Sequence, residues 1–245
     1  MVLMVLFFSP GRGGRRDSPY AARAWEKRAG GVILASTMSQ RRDHIHRHYT
    51  PRVHPERDSY DILDWGSAAT QCARFQVLAD LLRDTPALAG LPRGPRLLDA
   101  GCGLADLRPF LESRGQRVRY VGADLTPAIL KEARRRQPDA DLVLTDLFAA
   151  PPFFPETFDV VFASGIFNLN LGNNDAFVQR AVPALARLAA GCVVANFLHA
   201  GAPVKHAHCH YYEPVPLMAA LAGAGRRIDC REGYLDHDFT LVVWR

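Results

Sequence analysis

Arg96-Leu97-Leu98-Asp99-Ala100-Gly101-Cys102-Gly103-Leu104-Ala105-Asp106 joins a short apolar run, a pair of glycines and the start of a helix-length segment. A strand running through a glycine-rich turn into a helix lets the backbone approach a nucleotide closely, because glycine has no side chain to hold the ligand off. That pattern alone is weak, and two details narrow it. The dinucleotide pattern G-x-G-x-x-G would put its third glycine at position 106, where the chain has Asp106. Asp99 ends the strand just before the turn, so acids stand on both sides of the cradle. They repel a pyrophosphate and favour a ligand that carries a sulfonium and an ammonium. A nicotinamide oxidoreductase is disfavoured on both counts.

Downstream, Arg117–Asp124, Leu142–Asp146, Phe158–Ser164 and Gly191–Phe197 read as further strands, with helices over 105–114, 127–136 and 175–189 between them. Pro127 suits a first helical turn, and Gly115 and Gly191 suit helix stops. Pro183 should kink or split the third helix. Such alternation argues for a parallel sheet covered by helices on both faces. The end differs: after a helix near 214–223, strands Arg226–Tyr234 and Phe239–Trp244 are joined by four residues. Parallel strands need a much longer crossover, so this pair is expected to be antiparallel.

Asp124 closes the second strand, 25 residues after Asp99, where a carboxylate can accept hydrogen bonds from two ribose hydroxyls. Thr126 is the better-placed cap for the helix that follows. Asp146 closes the third strand, either to accept from an adenine amino group or as a plain turn residue.

Upstream, Ser67 is expected to cap a helix to about Asp84 with Cys72, Phe75, Leu78 and Leu82 on one face. Thr85-Pro86 ends it, and 91–95 form a rigid linker. Residues 38–60 are polar, carry His44, His46, His48 and His54, and read as a solvated segment. Met1–Phe8 is apolar but far short of the ~20 residues that span a bilayer, and it lacks signal-peptide flanks. The expected organisation is a disordered leader or overextended translation start at 1–37, a helical cap and linker at 38–95, and a ligand-binding domain at 96–245.

Residues 1–60 hold 11 Lys/Arg against 5 Asp/Glu, while residues 61–245 hold 19 against 20. The net charge of +5 therefore sits in the leader, which weighs against nucleic acid as partner. Five scattered cysteines without a C-x-x-C pair read as reduced thiols of a cytoplasmic protein, with no membrane segment.

LLDAGCGLADL (97–107), YVGADLTPAILKEAR (120–134) and FDVVFASGIFN (158–168), in this order, resemble class I S-adenosylmethionine (SAM)-dependent methyltransferases. The likeness covers roughly 65–245. It implies an α/β, Rossmann-like seven-stranded sheet of order 3-2-1-4-5-7-6, strand 7 antiparallel, with helices on both faces. It also implies SAM as methyl donor. By this resemblance Asp99, Gly101 and Gly103 line the methionine end, Asp124 takes the ribose with Leu125 beside the adenine, and Asp146 and Leu147 hold the adenine edge. Ser164 and Gly165 would present backbone groups to the methionine ammonium. Ala105 departs from the pattern, since many members have a third glycine there. Asp64-Trp65-Gly66-Ser67 through Phe75 resembles a segment that packs over the cofactor in small bacterial members, where Arg74 would pair with the SAM carboxylate or stand exposed.

In-line displacement from a sulfonium needs alignment and desolvation more than a fixed triad. A base is required only if the acceptor must lose a proton. The loop after the fifth strand offers His199, His206, His208, His210, Tyr211 and Tyr212, of which His210 and Tyr211 are the catalytic candidates. The loop after the fourth offers Asn168, Asn170, Asn173 and Asp175. No carboxylate close in sequence completes a metal set at His206-x-His208-x-His210, so no metal is expected. With no inserted substrate domain, the pocket roof must come from 40–84 and 198–213, which suits a small-molecule acceptor. RNA or protein methylation, or a SAM-binding subunit without activity, are the other readings.

Overall fold

The computed structural model describes residues 29–149 and 151–245. The chain divides into two units after Ser36, and every contact below lies within Thr37–Arg245. Most of the expected leader, 1–28, lies outside the described residues; helix α1 runs Ala29–Tyr49.

Seven strands form one sheet: β1 (Arg96–Ala100), β2 (Arg119–Asp124), β3 (Leu142–Leu144), β4 (Phe158–Ala163), β5 (Ala189–Leu198), β6 (Arg227–Arg231) and β7 (Asp238–Trp244), ordered β3-β2-β1-β4-β5-β7-β6. β1 to β5 pair in parallel, and β7 runs antiparallel to both β5 and β6. This is the order that the resemblance implies. In β1, Leu97, Leu98 and Ala100 are fully buried, as a central strand covered on both faces requires.

Helix α2 (Ser59–Ile62) leads into α3 (Ala68–Asp84), whose Phe75, Leu78, Leu81 and Leu82 share one core with Leu97, Val160 and Val194. Ser67 caps α3 as expected: its Oγ accepts from Thr70 N at 3.2 Å, and Thr70 Oγ1 accepts from Ser67 N at 3.2 Å. Such a capping box stabilises a helix start by about 1 kcal/mol. Helices α4 (Pro86–Ala89), α5 (Leu107–Ser113) and α6 (Pro127–Arg136) follow along the chain. On the opposite face α7 (Asn174–Leu188) places Phe177, Val178, Ala181, Val182 and Leu185 in a second core with Leu98, Val161 and Val193. Helix α8 (Pro214–Ala220) precedes the closing hairpin.

Two expectations are corrected here. Helix α7 is not split at Pro183. An internal proline costs ~3 kcal/mol, and the four larger buried apolar side chains, Phe177, Val178, Val182 and Leu185, at ~1.5–3 kcal/mol each outweigh that. The histidine-rich segment is not solvated loop to its end either, because α1 carries it to Tyr49 and a 3-10 turn to Arg52. Arg41, His46 and His48 of this helix make polar contacts, which periodicity does not report.

Candidate functional site

The turn after β1 is built by three left-handed residues at alternate positions: Gly101 (φ 75°), Gly103 (φ 55°) and Ala105 (φ 62°). Gly101 N and Cys102 N both donate to Ala123 O, at 2.7 and 3.0 Å, and Gly103 N donates to Asp124 Oδ2 at 3.2 Å. The turn is thereby laced to the end of β2. A Cβ at Gly101 would stand 2.1 Å from Ile166 Cγ2, and one at Gly103 2.8 Å from Leu63 Cδ1. Both positions therefore need glycine for space as well as for φ.

Ala105, where the resemblance has a third glycine, adopts glycine's conformation with a methyl buried in the α3 core. Left-handed backbone costs an alanine about 1–2 kcal/mol. Replacing it by glycine loses about 0.8 kcal/mol of methyl burial and adds about 0.4–1 kcal/mol of unfolded-state entropy. These nearly cancel. Ala105→Gly is expected to change unfolding free energy by less than about 1 kcal/mol, as measured in urea.

The turn opens into a cavity of about 620 Å³ at the carboxyl ends of β1, β2 and β4, within the usual range for small-ligand sites. Asp99, Gly101, Gly103, Asp124, Leu125, Asp146, Leu147, Ser164 and Gly165 all line it. The sequence-expected cofactor residues thus converge on one wall. Asp106 does not; it turns toward Ser59 Oγ (3.0 Å) and Gln71 Nε2 (3.1 Å), tying the turn to α2 and α3.

The acids nonetheless share one field. Burial, opposed by the Tyr120 hydroxyl at 2.8 Å and reinforced by Asp124 and Asp106, pushes the Asp99 carboxyl up to about 7. Burial also raises Asp124, against the backbone N–H groups that it accepts from. Asp124 Oδ1 takes Thr126 N at 2.8 Å, whereas Thr126 makes no side-chain cap bond to α6, contrary to expectation.

Residues that sequence periodicity missed close the other wall. Arg41 of α1 pairs with Asp146 and sits over the Phe148 and Phe177 rings at 5.2 and 4.9 Å. His46 Nε2 lies 3.0 Å from Leu125 O. Trp65 covers the end of β4 so closely that a Cβ at Gly165 would stand 2.6 Å from its Cη2. Arg74 is not exposed: it lines the cavity, is buried, pairs with Asp238 of β7, and lies 4.3 Å from the Trp65 ring centre. Its partner is 164 residues away, beyond the reach of local reading.

Of the catalytic candidates, Tyr211 lines the cavity, its hydroxyl accepting from His206 N at 2.7 Å. His210 does not. Its Nε2 lies 3.5 Å from the exposed Asp175 carboxylate and its ring packs on Tyr212 at 4.5 Å. The reason is a two-residue ladder, in which Asn170 N donates to His208 O and His210 N to Asn168 O, each at 2.8 Å. His208 and Asn168 line the cavity instead.

Comparison with known proteins agrees with this geometry. A family profile described as "Methyltransferase domain" matches residues 97–188. The chain is 40% identical over 63 residues to 18S rRNA (guanine-N(7))-methyltransferase of Bos taurus, covering 26% of this chain and 22% of that protein. It is 28% identical over 128 residues to trans-aconitate 2-methyltransferase of Variovorax paradoxus, covering 51% and 47%. These matches span less than half of either relative. Magnesium protoporphyrin IX methyltransferase of Synechocystis PCC 6803, solved with bound SAH, superposes with a TM-score of 0.53 at 15% identity, over 88% of this chain and 99% of that one. With the three motifs in order, residues 97–188 match a methyltransferase domain, and the sheet has the strand order of the class I SAM-dependent methyltransferase fold.

Proposed function

We propose that the protein transfers the methyl group of SAM to a small-molecule acceptor. The observation that carries this reading is the pair of acids, Asp99 buried and Asp124 half-buried, set on either side of a turn made by left-handed glycines. Buried carboxylates are costly unless a cation or hydrogen-bond donors meet them. SAM would supply an activated methyl on a cationic sulfur. Asp99, Gly101 and Gly103 would hold its methionine end, Asp124 and Leu125 the ribose and adenine face, and Asp146 and Leu147 the adenine edge. Asp146 gives one oxygen to Arg41 and the other to Phe148 N at 3.0 Å, and its remaining lone pairs can still accept. At the Ser164–Gly165 position, expected to meet the ammonium, Ser164 Oγ is buried without a partner.

The roof supports a small acceptor. It is made by α1, the segment before α3 and the loop after β5, which leave a cavity rather than an open face. The rRNA methyltransferase likeness favours a second reading with RNA as acceptor. The near-neutral body, 19 Lys/Arg against 20 Asp/Glu over 61–245, supports it poorly.

The acids also make binding pH-dependent. Asp99 titrates near 7 without ligand, and a bound cation favours its ionised form. Binding must then release protons, and affinity must rise with pH through that value. Calorimetric titration with SAM should give a dissociation constant on the order of tenfold weaker at pH 6 than at pH 7.5, with proton release seen across buffers of different ionisation heat. An affinity that is flat or falls over this window would contradict the role of Asp99. For the ligand-free fold the sign is opposite. A carboxyl raised above its unfolded value stabilises most at low pH, and that contribution is lost as pH rises through about 7.

A further inference from the structure

We propose that His208, held by Asp64, is the proton acceptor at the acceptor end of the cavity, and that the acceptor therefore presents a hydroxyl or amine N–H. This rests on the methyltransferase reading above.

Three segments distant in sequence meet on the Asp64 carboxylate. His48 Nε2 of α1 lies 2.9 Å from Oδ2, His208 Nε2 of the loop after β5 lies 3.1 Å from the same oxygen, and Arg52 Nη2 lies 2.8 Å from Oδ1. Asp64 holds this position with a left-handed backbone, φ 60°, a conformation that costs an L-residue energy and that aspartate tolerates better than most. His48, Asp64 and His208 all line the cavity.

The arrangement has the parts of an oriented base. Nε2 of His208 faces a carboxylate and so carries the proton, which leaves Nδ1 as the lone-pair nitrogen. The ladder to Asn168 and Asn170 fixes the backbone on both sides of the ring, and the His48 ring stacks on it at 5.6 Å between centres. Beside it, Asn168 Oδ1 is buried without a donor and is placed to accept from the same kind of group. A buried acceptor without a donor calls for a ligand that brings one. A metal is a poorer occupant, because Arg52 already neutralises the carboxylate, and the described residues contain no grouping of three His, Cys, Asp or Glu that could hold an ion.

In the step, the acceptor oxygen or nitrogen forms a bond to the methyl carbon while the C–S electron pair returns to sulfur. The acceptor's O–H or N–H proton passes to His208 Nδ1. The resulting imidazolium is paired with Asp64 and gives its proton to solvent, since the His208 side chain is half exposed. Asp64 is a positioning residue: it fixes the tautomer and stabilises the imidazolium.

Two measurements test this together. The first is the long-range ¹H–¹⁵N imidazole spectrum of the full chain, assigned with His208→Gln. It should show His208 as the Nε2–H tautomer, and Asp64→Asn should weaken that tautomer preference, because the facing carboxylate is removed. The second is transfer from tritiated SAM into a pool of phenols, alcohols and amines and into a separate pool of carboxylic acids. Label should enter the first pool, His208→Gln should cut transfer about 100-fold, and Asp64→Asn should lower kcat with little change in the KM of the acceptor. His208→Gln should leave SAM affinity and melting temperature unchanged, which separates this claim from the SAM reading: wild type failing to bind SAM would sink that reading instead. An Nδ1–H tautomer at His208, label confined to the acid pool, or wild-type transfer by His208→Gln would overturn the proposal.

Discussion

Asp238→Ala is expected to melt roughly 6–20 °C below the wild-type protein. Asp238 begins β7 and its carboxylate pairs with Arg74 of α3, with both side chains almost wholly buried. Burial pushes the Asp238 carboxyl up and Arg74 opposes that shift. Removing one partner leaves a guanidinium in the interior with only Thr70 O, at 2.8 Å, and the Trp65 ring to receive it. Breaking such a pair costs about 3–5 kcal/mol, and each kcal/mol moves the midpoint of a domain of this size by roughly 2–4 °C. Replacing both partners by apolar residues, Arg74→Met with Asp238→Leu, should recover most of the loss, because the orphaned charge is gone. Calorimetric melting of the two variants checks this. An Asp238→Ala protein melting within about 2 °C of wild type would show that the pair is not ionised in the fold.

Asp124→Asn is expected to weaken SAM binding about 10- to 100-fold. A charge-assisted hydrogen bond contributes about 1.5–3 kcal/mol, and each 1.4 kcal/mol is about tenfold in affinity. The asparagine keeps Oδ1 as acceptor for Thr126 N, so the turn into α6 should hold, while its NH2 no longer accepts from Gly103 N and part of the ligand-free stability should be lost there. Asp124→Ala is a harsher test. It also frees Gly103 N and Thr126 N, so some ligand-free stability should be lost along with affinity. Titration of both variants with SAM decides the matter. Normal binding by Asp124→Asn would remove Asp124 from the proposed ribose site.

The sheet was legible because its information is local. Apolar runs ending in Asp99, Asp124 and Ala163, and a four-residue link between the last two strands, dictate parallel strands and an antiparallel hairpin without any knowledge of contacts. The floor of the site was legible for the same reason, since its residues stand where strands end. What sequence could not show was which groups answer one another from afar. Asp146 was readable as an acid at a strand end, but not that Arg41, 105 residues earlier, would pair with it. His210 was the sequence candidate, whereas the ladder with Asn168 and Asn170 leaves it outside the cavity and places His208 beside Asp64. Helix α1 was hard to read because, beside Ile45 and Tyr49, its contacts run through Arg41, His46 and His48, and such polar contacts have no period.

The central claim is that the acid-lined glycine turn binds SAM, and thermal melting of the full chain with added ligand tests it most directly. Ligand at about 100 times its dissociation constant adds roughly 2.7 kcal/mol to the folded state, or on the order of 5–10 °C for a domain of this size. SAM and S-adenosylhomocysteine should each raise the midpoint by that amount, and NAD should not. A folded protein whose midpoint stays fixed at millimolar SAM and S-adenosylhomocysteine, or rises with NAD alone, would contradict the claim.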